Sequence, residues 1–277
     1  MGLDKSDLRQ HPIGVFDSGV GGLSVLGEIR DRFPSENLVY FADQAHVPYG
    51  SRPRSEVLVY SAEIVRYLLK MDAKLVVVAC NTASAAALSD LRRRFNSIPF
   101  VGMEPAVKPA AEKTHSGVVG VLATPATFQG ELYAATVAKF ANGVKIMQDT
   151  CPGLVGQIEQ GAARSPETKK ILENALEPML NAGVDEIVLG CTHYPFVLPI
   201  IREIVGDNVQ VIDPAPAVAR QVGRLLQEHQ LENNRNEPGK TRYITSGNPS
   251  KFKEMLGDLL GIDSLVEGVS WTADRLV

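Results

Sequence analysis

Cys80 and Cys191 stand in matching contexts. Leu75-Val76-Val77-Val78-Ala79 leads into Cys80-Asn81-Thr82, and Glu186-Ile187-Val188-Leu189-Gly190 leads into Cys191-Thr192-His193-Tyr194. Each is a β-branched run, a small residue, a cysteine and then polar hydrogen-bonding side chains. The carboxyl end of a buried strand is where open α/β sheets bind ligands. The reactive form of a cysteine is the thiolate, and with a free pKa of about 8.5 only a few per cent is ionised at neutral pH. Two such groups on opposite sides of one carbon can remove a proton from one face and return it on the other. That chemistry needs one thiolate and one thiol, with roles that exchange for the opposite enantiomer.

The neighbours support acid–base work. His193 lies two residues past Cys191 and could polarise that thiol or a carboxylate. Asp17 follows the apolar run Ile13–Phe16; it could take a proton from an ammonium group, orient Cys80 or cap a helix. Asn81, Thr82 and Thr192 supply neutral donors for a carboxylate, and Pro48-Tyr49-Gly50 is a turn whose hydroxyl and amide could do the same. Gly19-Val20-Gly21-Gly22 lies where a dinucleotide loop would, with Asp43 downstream, but Ser24 replaces the third glycine and Asp17 would repel a pyrophosphate. A backbone nest for a smaller anion such as a carboxylate fits better. Cys151, in Thr150-Cys151-Pro152-Gly153, has no matching partner and reads as packing. Hydrolysis by a Cys191–His193 pair would leave Cys80 unexplained.

The elements that must hold these residues alternate. Strands are expected at Pro12–Phe16, Asn37–Ala42, Leu75–Ala79, Pro99–Gly102, Gly117–Ala123, Val144–Gln148, Glu186–Gly190, Val209–Ile212 and Arg242–Thr245. Helical stripes run over Ser55–Met71 and Glu167–Asn181, and helices are expected at Ala83–Arg94 and Pro195–Val205. Near-continuous apolar strands between helices imply α/β architecture, with parallel sheets covered on both faces. The chain also repeats itself. Cys80 and Cys191 are 111 positions apart, as are Pro105 and Pro216, while Ile13–Ser18 aligns with Val119–Thr124 at an offset of 106. A duplicated chain predicts two similar open-sheet α/β domains, with Asp17, Ser18, Cys80, Asn81, Thr124, Cys191, Thr192 and His193 converging on a cleft between them, while the segment after Asp213 could extend the second domain or return to the first.

Composition narrows the rest. With 277 residues, 44% hydrophobic and 22% charged, the chain fits a soluble globular protein, and a net charge of −4 argues against nucleic-acid binding. No run reaches the roughly 18 apolar residues of a membrane span, and the polar start lacks an apolar signal core, so a cytoplasmic location is expected. The three cysteines are expected to be free thiols. Neither a zinc motif nor a lysine placed for pyridoxal phosphate is recognisable, so no metal and no cofactor are expected.

Four motifs together resemble the glutamate racemases of the cofactor-independent aspartate/glutamate racemase superfamily: Gly14-Val15-Phe16-Asp17-Ser18-Gly19-Val20-Gly21-Gly22-Leu23, Pro48-Tyr49-Gly50, Ala79-Cys80-Asn81-Thr82-Ala83-Ser84 and Leu189-Gly190-Cys191-Thr192-His193-Tyr194-Pro195. The resemblance spans about Ile13 to Trp271. It implies that Cys80 takes the α-proton of D-glutamate and Cys191 that of L-glutamate, assisted by Asp17 and His193 respectively, with Glu159 near His193. It further implies substrate contacts at Asp17, Ser18, Pro48, Tyr49, Gly50, Asn81, Thr82, Thr124, Thr192 and His193. A homodimer that supplies D-glutamate for peptidoglycan is implied by it as well, as are two pseudo-symmetric domains, the first from 1–103 plus a returning last segment 213–277 and the second from 104–212. The residues themselves name no substrate: aspartate or a related acid, or a non-catalytic carboxylate-binding regulator of the same fold, remain alternatives.

Overall fold

A computed structural model describes residues 8–277 of the protein. The chain runs through β1 (Ile13–Asp17), α1 (Leu23–Arg32), β2 (Leu38–Ala42), α2 (Arg54–Lys70), β3 (Leu75–Val78), α3 (Asn81–Arg94) and β4 (Phe100–Gly102). It continues as α4 (Val107–Lys113), β5 (Val118–Ala123), α5 (Pro125–Phe128), α6 (Glu131–Phe140), β6 (Lys145–Asp149), α7 (Leu154–Glu159), α8 (Pro166–Asn181), β7 (Glu186–Gly190), α9 (Leu198–Val205) and β8 (Gln210–Ile212). It closes with α10 (Ala215–Glu228), β9 (Thr241–Thr245), α11 (Pro249–Leu260), β10 (Val266–Gly268), and a hairpin of β11 (Trp271–Thr272) and β12 (Arg275–Leu276). Every strand expected from the sequence is present to within one residue at each end. The short β10 and the hairpin were not anticipated, because two or three residues carry no readable alternation. Two compact units result: one up to Met103 together with Ala215–Val277, the other Glu104–Pro214. Among the described residues, no helix is long and apolar enough to cross a membrane.

The first unit holds a parallel sheet in the order β10-β9-β2-β1-β3-β4. Strands β1, β2 and β3 are buried along their whole length. Alternation along them decides which helices they meet. Phe16, Val39, Phe41, Val76 and Val78 pack with Ile64, Leu68, Ala83 and Leu91 of α2 and α3. Tyr40 points to the opposite face and stacks on Phe252 of α11, with ring centroids 6.1 Å apart. The second unit holds the parallel order β6-β5-β7-β8. Val119, Val121 and Val188 pack against Val107 and Ala110 of α4 and Tyr133 of α6. Gly120 faces α8, where an added Cβ would lie 2.7 Å from Met179 Sδ. The order β2-β1-β3-β4 and the order β6-β5-β7-β8 are the same connectivity, as a duplicated chain requires.

Each sheet is tied at the amino ends of its strands. Lys74, just before β3, donates from Nζ to Glu36 Oε2 at 2.5 Å and to the Arg9 carbonyl at 2.5 Å. Glu36 Oε1 accepts from the Asn233 amide at 2.8 Å. Burial pushes the Lys74 ammonium down, and Glu36 opposes that shift. In the second unit Asp185, 111 positions after Lys74, takes the equivalent place before β7. Its carboxylate accepts from Thr114 Oγ1 at 2.5 Å, His115 N at 2.7 Å and Ser116 N at 2.8 Å. Burial alone would raise its pKa, but these donors outweigh it and hold the group at about 2. The same repeat position thus anchors both units with side chains of opposite charge, leaving the carboxyl ends free for chemistry.

Removing one member of a buried pair leaves the other charge uncompensated, which costs about 3–5 kcal/mol. Lys74→Met is therefore expected to lower stability by that amount in urea unfolding. A loss under about 1 kcal/mol would show that the pair does not anchor the sheet.

Candidate active site

Cys80 is set by the step from β3 into α3. Ala79 N donates to Phe16 O at 2.8 Å, continuing the pairing with β1, and Cys80 then takes the N-cap position of α3 in extended conformation. Its sulfur accepts from Ala83 N at 3.4 Å. The amino end of a helix of 14 residues faces the thiol, and both the amide and the dipole favour the thiolate. The thiol also lies 3.9 Å from Ser18 Oγ. Asp17 is fully buried at the end of β1, and its Oδ1 accepts from Gly19 N at 2.7 Å. Tyr40 Oη donates to Gly19 O at 2.8 Å. Gly22 has no room for a side chain: a Cβ would lie 2.7 Å from Asp17 Cβ. These bonds correct two expectations. The glycine loop spends the Gly19 amide on Asp17 rather than offering it as part of an anion nest, and the helix N-cap here is Gly22, not Asp17.

Tyr49 sits in a short 3-10 turn, Tyr49–Ser51, after the cis Val47–Pro48 peptide. Its hydroxyl donates to Asp43 Oδ2 at 2.6 Å, so it is not directed at a substrate carboxylate as the sequence suggested. Burial, then Asp43, raises its pKa well above the ordinary phenol value and keeps it neutral; Cys80 and Asp17 add to the shift, which places all three in one electrostatic neighbourhood. Asp43 is a fully buried hub. It also meets His46 Nδ1 at 2.9 Å, Ser246 Oγ at 2.7 Å and Trp271 Nε1 at 2.7 Å. In the sequence Asp43 stands out only as an acid downstream of the glycine loop. Its position one residue past a buried strand, the same signal that marked Asp17, would have found it. Asn81 and Thr82 follow Cys80 and are both buried. Both amide atoms of Asn81, Nδ2 and Oδ1, are buried without a hydrogen-bond partner among the described residues.

Cys191 follows β7 directly. His193 Nδ1 lies 3.7 Å from its sulfur, and His193 Nε2 lies 2.6 Å from Glu159 Oε1. The imidazole is 3% exposed. Burial alone would lower its pKa, but hydrogen bonds to Cys191 and Glu159, and their negative charges, raise it well above the ordinary histidine value. Protonated His193 can donate to both partners, which joins Cys191, His193 and Glu159 in one hydrogen-bonded relay. The helix expected at Pro195–Val205 starts differently. A 3-10 turn spans Tyr194–Val197, and α9 begins only at Leu198. Pro195 suits a first turn, but Pro199 would break the interior of a helix begun there, so the helix restarts with Pro199 in its own first turn. Cys191 therefore has no α-helix amino end immediately after it, and the imidazole takes that place. Thr192 is buried beside it. Thr124 caps α5, its Oγ1 accepting from Thr127 N at 3.4 Å. Burial pushes the Cys151 thiol far up, with Asp149 adding to the shift, as suits a packing residue.

Sheet register reproduces the sequence repeat. Phe16 pairs with Val78, so Ser18 falls opposite Cys80; Ala123 pairs with Gly190, so Thr124 falls opposite Cys191. Each thiol thus has a hydroxyl residue at the same place on the neighbouring strand's exit.

Known proteins share this fold. The Asp/Glu/Hydantoin racemase family profile matches residues 24–222. A glutamate racemase from Roseiflexus sp. (strain RS-1) is 54% identical over 252 residues, covering 91% of this chain and 93% of that one. The crystal structure of the glutamate racemase isoform RacE1 from Bacillus anthracis superposes with a TM-score of 0.84 at 31% identity, covering 96% and 99% of the two chains. The Escherichia coli glutamate racemase, in complex with L-glutamate and the activator UDP-MurNAc-Ala, has a TM-score of 0.81 at 30% identity over 95% and 100%. The chain belongs to the Asp/Glu/hydantoin racemase family and is an amino-acid racemase.

Proposed function

We propose that the protein interconverts L- and D-glutamate without a cofactor, by two-base proton transfer between Cys80 and Cys191. The observation that carries this reading is the equivalence of the two thiols. Each leaves the same strand of the same four-strand pattern, and each has its own polar partner: the Ala83 amide and helix end at Cys80, and the His193–Glu159 relay at Cys191. Glutamate as substrate is supported by the relatives, one of which holds L-glutamate.

In the L-to-D direction the Cys191 thiolate removes the α-proton and the Cys80 thiol protonates the opposite face. The reverse reaction exchanges the roles, with Asp17 assisting Cys80 and His193 assisting Cys191. The α-proton of an amino acid is weakly acidic, so negative charge grows on the substrate in the transition state. Preorganised neutral donors in a water-poor site stabilise that charge. Asn81 suits this task, since its buried amide has both a donor and an acceptor uncommitted. Ser18, Thr82, Thr124 and Thr192 complete the polar set, and at the Pro48-Tyr49-Gly50 turn the Gly50 amide takes over the role first given to the Tyr49 hydroxyl. A cytoplasmic homodimer supplying D-glutamate to peptidoglycan is the setting we infer for the reaction.

Incubation with L-glutamate in heavy water, with no added cofactor, is expected to give D-glutamate carrying deuterium at Cα. Absence of both the product and the label would refute the reading. The relay makes a second prediction. Because its folded pKa is raised, protonated His193 contributes stability that is fully present below about pH 6.5 and is lost as pH rises through the folded value. Glu159→Gln removes a carboxylate that holds the proton, so the His193 midpoint, followed by NMR, should move down toward the ordinary value. kcat/KM should fall about 100-fold, the lower end of what positioned acid–base groups supply. An unchanged midpoint would remove Glu159 from the relay.

A further inference from the structure

Glu159 can reach His193 only if α7 is placed correctly, and α7 has just six residues. A helix this short does not hold its own position; its ends must be fixed by something else. The segment that leads into it is a tight turn. β6 ends at Asp149, whose Oδ1 accepts from the Cys151 amide at 2.7 Å. Cys151 then adopts φ +42, unusual for any residue but glycine and asparagine, and Gly153 follows at φ +88 as the N-cap of α7. Leu154 N closes the turn on Cys151 O at 3.0 Å. From the other side Tyr194 Oη donates to Thr150 O at 3.4 Å. Tyr194 is the residue next to His193, so the turn is gripped both by the strand that ends in Asp149 and by the segment that carries the imidazole. The left-handed Cys151 is a local cost that needs such external support.

We propose that Asp149 is a positioning residue for the Cys191 half of the reaction: by capping the Cys151 amide it holds the 149–153 turn, and through α7 it sets Glu159 against His193. This rests on the two-thiol reading above, but part of its test does not. Cys151 itself takes no chemical role; its left-handed backbone is the hinge of the turn, and its thiol is packing.

Asp149→Ala removes the acceptor, whereas Asp149→Asn keeps an oxygen in the same place. The first measurement is the His193 titration by NMR, which needs no substrate. A midpoint below that of the parent chain in Asp149→Ala, restored in Asp149→Asn, is the expected result. The same midpoint in all three would overturn the proposal, whether or not the protein acts on glutamate. The second measurement uses α-deuterated L- and D-glutamate. kcat/KM in the two directions is tied by the equilibrium constant, so both should fall together, about tenfold, in Asp149→Ala. The isotope effects need not change together. If only the Cys191 step is impaired, the effect should grow with labelled L-glutamate and shrink with labelled D-glutamate. Equal changes with both enantiomers would signal a merely structural role and overturn the assignment. Should Asp149→Ala not fold, Asp149→Ser, with a shorter acceptor, carries the same two measurements with the same deciding outcomes. A parent chain that leaves glutamate untouched would sink the two-thiol reading while the titration still judged Asp149.

Discussion

Everything chemical in this protein hangs on one constraint: in each unit a cysteine-bearing strand pairs in parallel with the neighbour that leads into the next polar residues. Parallel pairing sends both strands out of the sheet at the same edge. In the first unit Phe16 opposite Val78 brings Asp17, Ser18 and Cys80 out together. In the second, Ala123 opposite Gly190 brings out Thr124 and Cys191. A one-residue slip would turn every one of these side chains to the other face of its strand. The buried faces forbid the slip, since Phe16, Val76 and Val78 are committed to α2 and α3, and Val119, Val121 and Val188 to α4 and α6. The hydrogen-bonded anchors at Lys74 and Asp185 hold the opposite edge.

In the two-thiol mechanism we propose, the two units would meet the need for a thiolate by different physics. Cys80 uses backbone: an amide and the aligned dipoles of α3. Cys191 lacks an immediate α-helix amino end, because the prolines divide the segment after it, and uses a buried imidazole held by a carboxylate instead. A permanent cation would stabilise a thiolate too well for the same group to serve as an acid in the reverse direction. A backbone amide and a titrating imidazole leave both forms accessible, as a reversible reaction between mirror-image substrates requires.

Much of this was legible in the sequence because it is local. An apolar strand run followed by a polar residue marks a strand exit, and that pattern picks out Asp17, Cys80 and Cys191, and Asp43 with them. The repeat spacing of 111 positions paired the cysteines, and it also pairs Lys74 with Asp185, a correspondence visible only once their bonding is known. Glu159 has no local signal. It lies 34 residues from His193 at the end of a six-residue helix, and only family resemblance pointed to it. Asp43 carries the strand-exit signal, but its role as a hub does not: its partners His46, Tyr49, Ser246 and Trp271 lie up to 228 residues away, and no window of sequence brings them together. The bond from the Tyr49 hydroxyl to Asp43 is hidden from the sequence for the same cause.

The central claim is that each thiol serves one face of one carbon. Proton exchange in the single variants, followed in heavy water by NMR, tests it most directly. Cys80→Ala should lose racemisation in both directions while still exchanging the α-proton of L-glutamate alone, and Cys191→Ala should exchange that of D-glutamate alone. A variant that still racemises, or that exchanges both enantiomers, would contradict the account.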